Sequence, residues 1–237
     1  MTTGYPRAVV LDFDGVVLQS DRIKTWAFGA LFADHPHIVD DVVALHERLG
    51  GISRYRKFEM IYEQFLDLPL SAERSRELGE AYSALVLDEV LRCPMVDGAQ
   101  EFLEGNPADR PLYVASGSPH EELNFTVRER GLAHHFTGCF GFPHEKPGVI
   151  GEVLRIHDVD PLDLVFVGDA WSDFEAARVT GVRFVGVVRS DAVSPFPAGV
   201  VVRPNLVGLN LVLNRATPCL EPPLPSENPR PGTGDGR

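Results

Sequence analysis

The feature that most restricts how this chain can fold is a short apolar run that stops abruptly on acids. Arg7-Ala8-Val9-Val10-Leu11 is followed at once by Asp12-Phe13-Asp14-Gly15. A run without polar alternation is buried on both faces, as in the inner strands of a parallel sheet, and Gly15 supplies the turn out of it. Similar runs recur at 111–116 (PLYVAS), 164–168 (LVFVG) and 183–188 (RFVGVV). Helical spacing follows Pro119, through Leu123, Val127 and Leu132, and again follows Pro147, through Ile150, Val153, Leu154 and Ile156. Alternation of strand and helix predicts an α/β fold with a doubly wound, Rossmann-like parallel sheet.

Residues 20–94 break that alternation. They offer no convincing strand but several amphipathic stretches: WAFGALF, VVALHERL, YRKFEMIYEQFL and ELGEAYSALVLDEVL. A single crossover of that length would depart from ordinary loop lengths, so an inserted all-α module is expected. The predicted organisation is an α/β core at 1–19 and 95–216 with a helical insert at 20–94. The Pro- and Gly-rich tail at 217–237 has few apolar residues and is expected to be disordered.

Composition removes several function classes. With 34 acidic against 22 basic residues the formal net charge is −12, which disfavours nucleic acid as a partner. No apolar run approaches the ~18 residues of a membrane span. The N-terminal segment lacks an apolar stretch followed by a small-residue cleavage site, so a cytoplasmic location is expected. Cys93, Cys139 and Cys219 are odd in number and far apart, giving neither a disulfide framework nor zinc-ligand spacing. The expected partner is a small molecule. Nothing in the sequence fixes an oligomeric state.

In open α/β sheets ligands bind beyond the carboxyl ends of the strands. Asp12 and Asp14 lie there after the first strand, Ser116-Gly117 after the second, and Gly168-Asp169-Ala170-Trp171-Ser172-Asp173 after the third. Lys146 precedes the helix that begins near Pro147. Asp12, Asp14, Ser116, Lys146, Asp169 and Asp173 are thus predicted to share one edge of the sheet. Singly, each has a plainer reading. Asp14-Gly15 is a common turn dipeptide, Ser118-Pro119-His120-Glu121 fits a capping box, Ser172 and Glu175 share that spacing, and Lys146 could be a solvated loop lysine. Acids clustered at successive strand ends are not explained that way.

Clustered carboxylates repel one another and call for a cation. An all-oxygen site suits Mg²⁺, which takes a few carboxylates, several waters and a substrate phosphate. One aspartate beside it can attack as a nucleophile, a second can serve as general acid and then base, and the lysine can offset charge on the transferring group.

The four segments together resemble the haloacid dehalogenase superfamily of aspartate-nucleophile phosphatases. The motifs stand in order over about residues 5–215: DFDGV at Asp12–Val16, SGS at Ser116–Ser118, Lys146, and GDAWSD at Gly168–Asp173. The helical insert is similar to the cap of the β-phosphoglucomutase and phosphoglycolate phosphatase branch. The resemblance implies Asp12 as nucleophile and metal ligand, and Asp14 as acid/base with its backbone carbonyl on Mg²⁺. It further implies Ser116 and Gly117 at the phosphoryl group, Lys146 as the residue tying the site together, Asp169 as a metal ligand, and Asp173 in support of the metal. The dehalogenase and phosphonatase branches lack an acid at the place of Asp14, so phosphate-ester chemistry is favoured. The expected activity is hydrolysis of a small phosphorylated metabolite through an aspartyl-phosphate. A phosphosugar mutase and a non-catalytic phosphate-binding module are the alternatives.

Within the insert, Gly50-Gly51-Ile52-Ser53-Arg54-Tyr55-Arg56-Lys57 places Ser53 as an N-cap and three cations in the first helical turn, where they oppose the helix dipole. An anion site would explain them, and so would a basic turn paired with Glu59 or Glu63. The segment resembles the G-x-S-R substrate loop of related caps, which implies a substrate contact for Arg54. Lys24, counted without gaps from Asp12, stands where the mutase branch usually has histidine. It is read as a solvated lysine, with a place facing the cleft as the alternative.

Overall fold

The computed structural model describes residues 4–218. At its centre β1 (Ala8–Leu11), buried along its whole length, pairs in parallel with β2 (Leu112–Pro119) on one side and β4 (Leu164–Gly168) on the other. β3 (Gly138–Phe142) extends the sheet beyond β2, while β5 (Arg183–Val187) and β6 (Val201–Arg203) extend it beyond β4. The parallel order is β3-β2-β1-β4-β5-β6. The α/β doubly wound reading is therefore correct.

Successive residues of β1 serve opposite faces, as strand geometry requires. Ala8 and Val10 pack with Val149, Ile150 and Val153 of α7 (Lys146–His157) and with Phe174 and Ala177 of α8 (Trp171–Thr180). Val9 and Leu11 pack into the other layer, which holds Phe102 of α5 (Ala99–Glu104) and Leu123 and Val127 of α6 (His120–Glu129). Each such side chain taken from water contributes about 1.5–3 kcal/mol, so helices are needed on both faces.

Between β1 and β2 the chain forms α1 (Asp21–Leu31), α2 (Val39–Arg48), α3 (Arg54–Ile61) and α4 (Ala72–Arg92). The predicted amphipathic stretches fall on these helices, and a turn of π-helix (Tyr62–Leu66) continues α3. Their apolar faces meet through Phe28, Phe32, Leu45, Phe58 and Tyr82, and this cluster is continuous with the layer under β1.

Three features depart from the sequence reading. β3 is built from GCFGF, whose two glycines and lack of branched residues hide a strand, and β6 is a three-residue strand that periodicity cannot detect. Thr217 and Pro218, the first residues of the expected disordered tail, instead form β7 (Thr217–Pro218), antiparallel to β5. Residues 219–237 of that tail lie outside the described residues. Among the described residues no helix is long and apolar enough to cross a membrane.

Candidate active site

The ends of β1, β2 and β4 and the start of α7 bring the predicted acids together. Asp12 leaves β1 with Oδ1 accepting the Phe13 amide at 2.7 Å and Oδ2 3.2 Å from Lys146 Nζ. Lys146 Nζ also donates to Asp173 Oδ1 at 2.5 Å. Asp173 Oδ2 accepts the amides of Asp169 (3.1 Å) and Ala170 (3.0 Å), so its carboxylate fixes the turn between β4 and α8. One oxygen from each of Asp12, Asp169 and Asp173 lies within 4.8 Å of the others.

Two glycines permit this closeness. Gly15 has φ of +79°, and a Cβ there would stand 2.2 Å from Asp169 Oδ2. Gly51, in the loop entering α3, has φ of +74°, and its Cβ would meet Ser172 Oγ at 2.3 Å and Lys146 Nζ at 2.7 Å. The Gly50-Gly51 loop of the insert thus rests directly on the strand ends. Ser172 Oγ donates to Gly50 O at 2.8 Å, and Gly117 lies under Gly51 O.

Asp14 is turned the other way, into a nest of donors. Its Oδ2 accepts from Lys24 Nζ (2.5 Å), from Ser118 Oγ (3.0 Å) and, at a long 3.4 Å, from Ser116 Oγ. Its Oδ1 accepts from Ser20 Oγ at 2.6 Å. Two sequence expectations are corrected here. Lys24 is no solvated lysine: its side chain is only 14% exposed and bridges Asp14 to Ser118 Oγ, 2.7 Å away. Ser118 does not cap α6, whose N-cap position is Pro119 without a side-chain bond. Both errors share a cause, since the partner of each group lies across the cleft and far away in sequence. The position of Lys24 one turn into an amphipathic helix that follows β1, and its standing where the mutase branch has histidine, are the signals that pointed to the cleft.

The electrostatics divide the acids. Burial pushes Asp12 well above the ordinary carboxylate range, Lys146 pulls it back, and Asp173 and Asp14 push it up again. Asp169 is likewise raised, by burial first and then by Asp12 and Asp173. Burial would raise Asp14 too, but the Lys24 charge, with the hydrogen bonds from Lys24, Ser20 and Ser118, holds it at about 2. Lys146 would be lowered by burial, yet Asp12 and Asp173 hold it above its usual value. The donor set that remains is oxygen only and short of positive charge, so a hard divalent cation fits between Asp12 and Asp169. Asp173, with both oxygens engaged, fits a supporting place. The carboxylate of Asp14 is engaged elsewhere, by Lys24, Ser20 and Ser118.

Arg54 stands apart from this cluster. It is 5% exposed, opens α3, and donates to Glu122 Oε1 and Ser83 Oγ, each at 2.7 Å, with its guanidinium 4.5 Å from the centre of the Tyr82 ring. Arg56 pairs with Glu59 at 2.6 Å, as the basic-turn reading expects. Ser53 occupies the N-cap position of α3, but its buried hydroxyl has no hydrogen-bond partner. Lys57, the third cation of that first turn, is 3% exposed; its Nζ lies 3.1 Å from His46 Nδ1 and 3.4 Å from His46 O. Arg54, Lys57, His46 and Tyr82 line one cavity of about 1440 Å³ together with Asp12, Asp14, Ser116 and Asp169.

Comparison with known proteins bears on the fold and the family. The fold is similar to a hydrolase from Pseudomonas syringae (TM-score 0.69, 14% identity, covering 88% of this chain and 98% of that one). It is also similar to a predicted phosphoglycolate phosphatase from Haemophilus somnus (TM-score 0.65, 16% identity, 90% and 99% covered). A haloacid dehalogenase-like family hydrolase from Streptococcus pneumoniae aligns with a TM-score of 0.58 at 20% identity, over 79% of this chain and 86% of that one. No curated protein matches the sequence significantly. Residues 9–178, which run from β1 through the whole GDAWSD segment, match the haloacid dehalogenase-like hydrolases, and the chain belongs to that family.

Proposed function

We propose that this protein is a Mg²⁺-dependent phosphomonoester hydrolase that works through an aspartyl-phosphate on Asp12. One observation carries the reading: Asp12, Asp169 and Asp173 converge within 4.8 Å around a single lysine, with Asp14 two residues from Asp12. Relatives of the same fold named as phosphatases support it. The helices at 20–94 serve as a cap over the cleft, with the core formed by 1–19 and 95–216.

Asp12 and Asp169 would hold Mg²⁺, with the Asp14 carbonyl beside them and Asp173 in support. When bound, the ion supplies charge compensation and holds the phosphoryl group against the nucleophile. Ser116 and the amide of Gly117 hold that group in the cleft, and Lys146 offsets charge on it and on Asp12. An Asp12 oxygen attacks phosphorus while the ester P–O bond breaks, and the departing oxygen takes a proton from Asp14. Water then gives a proton to Asp14 and attacks phosphorus, which releases phosphate and restores Asp12. At rest Asp14 is ionised and ready for the second step. For the first it must gain a proton, and the dianionic phosphoryl group entering beside it raises its proton affinity.

The test is Mg²⁺-dependent release of inorganic phosphate from a panel of alkyl phosphates, with acid-quench trapping of the covalent phosphoenzyme. Wild type is expected to yield both and to need no bisphosphate activator, which a mutase would require. Asp12→Asn should yield neither, because an amide is nearly isosteric but a poor nucleophile and ligand. More than about one per cent of wild-type kcat in that variant would overturn the assignment, since a nucleophile is worth several kcal/mol at ~1.4 kcal/mol per tenfold.

A further inference from the structure

The cleft has an apolar rim as well as a charged floor. The chain has two tryptophans, Trp26 on α1 and Trp171 at the start of α8, and both line the same cavity as Asp12 and Asp169. They are 58% and 45% exposed, although an indole left in water forgoes the gain of burying a large apolar surface. Tyr5 and Phe125 are the other exposed Phe, Tyr or Trp side chains among the described residues, and neither lines the cavity. Both indoles are tied to the loop after β5. Trp26 lies one turn beyond Arg22 on the same face of α1, and Arg22 pairs with Asp191 of that loop at 2.6 Å. Trp171 packs 5.2 Å from Phe174, whose ring lies 6.2 Å from Phe196 at the far end of the loop. The charges here are already matched, Arg22 with Asp191 and Arg189 with Asp21, so the rim offers apolar surface rather than a place for an ion. At about 1440 Å³ the cavity also exceeds the roughly 300–1,000 Å³ of an ordinary small-ligand pocket, which leaves room for a leaving group that reaches the rim.

We propose that Trp26 and Trp171 form a specificity site that takes an aromatic ring carried by the leaving alcohol. The inference rests on the phosphatase reading and adds the substrate class: phosphate monoesters of alcohols that bear a flat, uncharged aromatic group. Indoles receive a second ring by offset or edge-to-face contact, and a ring is stiff, so little freedom is lost when it is held. A plain alkyl chain has no such contact geometry and must order its rotors. The indoles act on which ester is held and not on the step at phosphorus, because they touch the leaving group away from the reacting atoms. Their place in the cavity of Asp12 favours the substrate over a second copy of the chain as the occupant, since a copy seated on these exposed side chains would cover the opening that an ester must enter.

The experiment uses the full-length protein with Mg²⁺ and two sets of esters: ethyl, butyl and hexyl phosphate, and the same three chains ending in a phenyl ring. Wild type should favour the phenyl ester over its alkyl counterpart by about tenfold or more in kcat/KM at one chain length at least, mainly through KM. Trp26→Ala and Trp171→Ala should each reduce that ratio to about threefold or less, while Trp26→Phe and Trp171→Phe should keep most of it. Each ratio is taken within one variant, so a tryptophan that merely supports the fold would lower both esters alike and leave it unchanged. Indole emission gives a second readout, because the chain has no other tryptophan. The non-hydrolysable 4-phenylbutylphosphonate should shift that emission with saturation, and butylphosphonate much less. Turnover of both sets with ratios near one at every length overturns the rim site and leaves the phosphatase reading intact. A ratio that survives both alanine substitutions also overturns it, as does emission unmoved by a phenyl phosphonate that inhibits turnover. A changed oligomeric state in either alanine variant by light scattering, with the ratio unchanged, would make the rim an interface between copies and overturn the proposal. Failure of wild type on every ester overturns both readings together.

Discussion

On the sheet side of the cleft a single cation, Lys146, serves Asp12 and Asp173, with Asp169 close by. On the insert side, among the described residues, Lys57 has no acid within hydrogen-bonding reach and Arg54 has one. The two walls are equally buried and oppositely unbalanced. Neither imbalance repairs the other, because each excess is held in place by its own backbone. The acids are fixed by the Phe13, Asp169 and Ala170 amides, and Lys57 by the first turn of α3 and His46. On the proposed reading a divalent cation would complete one wall and an anionic ester the other. Asp14 sits between, on the sheet by sequence and bound to the insert through Lys24.

The largest effect that would break this comparison concerns Asp14. If it gives a proton to the leaving oxygen, its worth depends on how much that oxygen needs one. Asp14→Asn should slow phosphoenzyme formation from an alkyl phosphate by about 10²–10⁴-fold and much less from an activated nitrophenyl phosphate. With either substrate the phosphoenzyme should then accumulate, because the same group activates water. Rapid-quench measurement of the phosphoenzyme with both substrates decides the matter. Equal losses would mean that Asp14 acts as a tether for Lys24 and the insert, and the acid/base role would fall.

The second effect uses one substitution on both walls. Lys146→Met leaves three buried acids without their cation, and stability should fall by about 3–5 kcal/mol in urea denaturation. Lys57→Met removes a buried charge that has no partner, so stability should rise, by about 1–3 kcal/mol near neutral pH. The groups that act on Lys57 are Lys24 from α1, His46 from α2, Arg54 on its own helix, Lys146 from α7 and Asp14 after β1. Burial first, then Lys24 and Lys146, lowers its ammonium from 10.5 to about 7. The unfolded chain therefore binds more protons than the folded one between about pH 7 and 10.5, and native stability rises across that window. The gain in Lys57→Met should be full below pH 7 and vanish towards pH 10.5. A gain that grows with pH, or a loss at every pH, would show that Lys57 has a counter-charge in the folded protein.

The acidic wall was legible in the sequence and the basic wall was not, for a physical reason. Asp12, Asp14 and Asp169 stand at the ends of apolar runs, so one pattern gives both the strand and the place where its acids emerge. Ser116, Gly117, Lys146 and Asp173 follow from the same sheet edge. On the insert, helical periodicity located α1 to α4 but could not say which polar residue turns inward. Lys57 lies within an amphipathic stretch and carries the charge of a surface residue, yet it is buried, while its neighbour Arg56 is exposed and paired as expected. The partner of Arg54, Glu122, is 68 residues away on α6, and that of Lys24 is on the loop after β1. Such contacts depend on how the insert sits on the sheet, which no local pattern contains. β3 escaped for a different reason: GCFGF is held by its pairing with β2, not by its own propensity.

The smallest effect belongs to the charges on the rim. Arg22 pairs with Asp191 at 2.6 Å and Arg189 with Asp21, so two ion pairs tie α1 of the insert to the loop after β5. They resemble a clasp between the two walls. Yet their side chains are 34–69% exposed, where water solvates each partner almost as well alone and salt screens what remains. The continuous apolar layer under β1 and the Gly50-Gly51 loop on the strand ends already hold the insert, and neither depends on these charges. Arg22→Ala and Arg189→Ala should each move Tm by less than about 2 °C, and 0.5 M salt should erase the difference. A fall of more than about 5 °C that persists in salt would mean that the rim, rather than the buried contacts, holds the two walls in register.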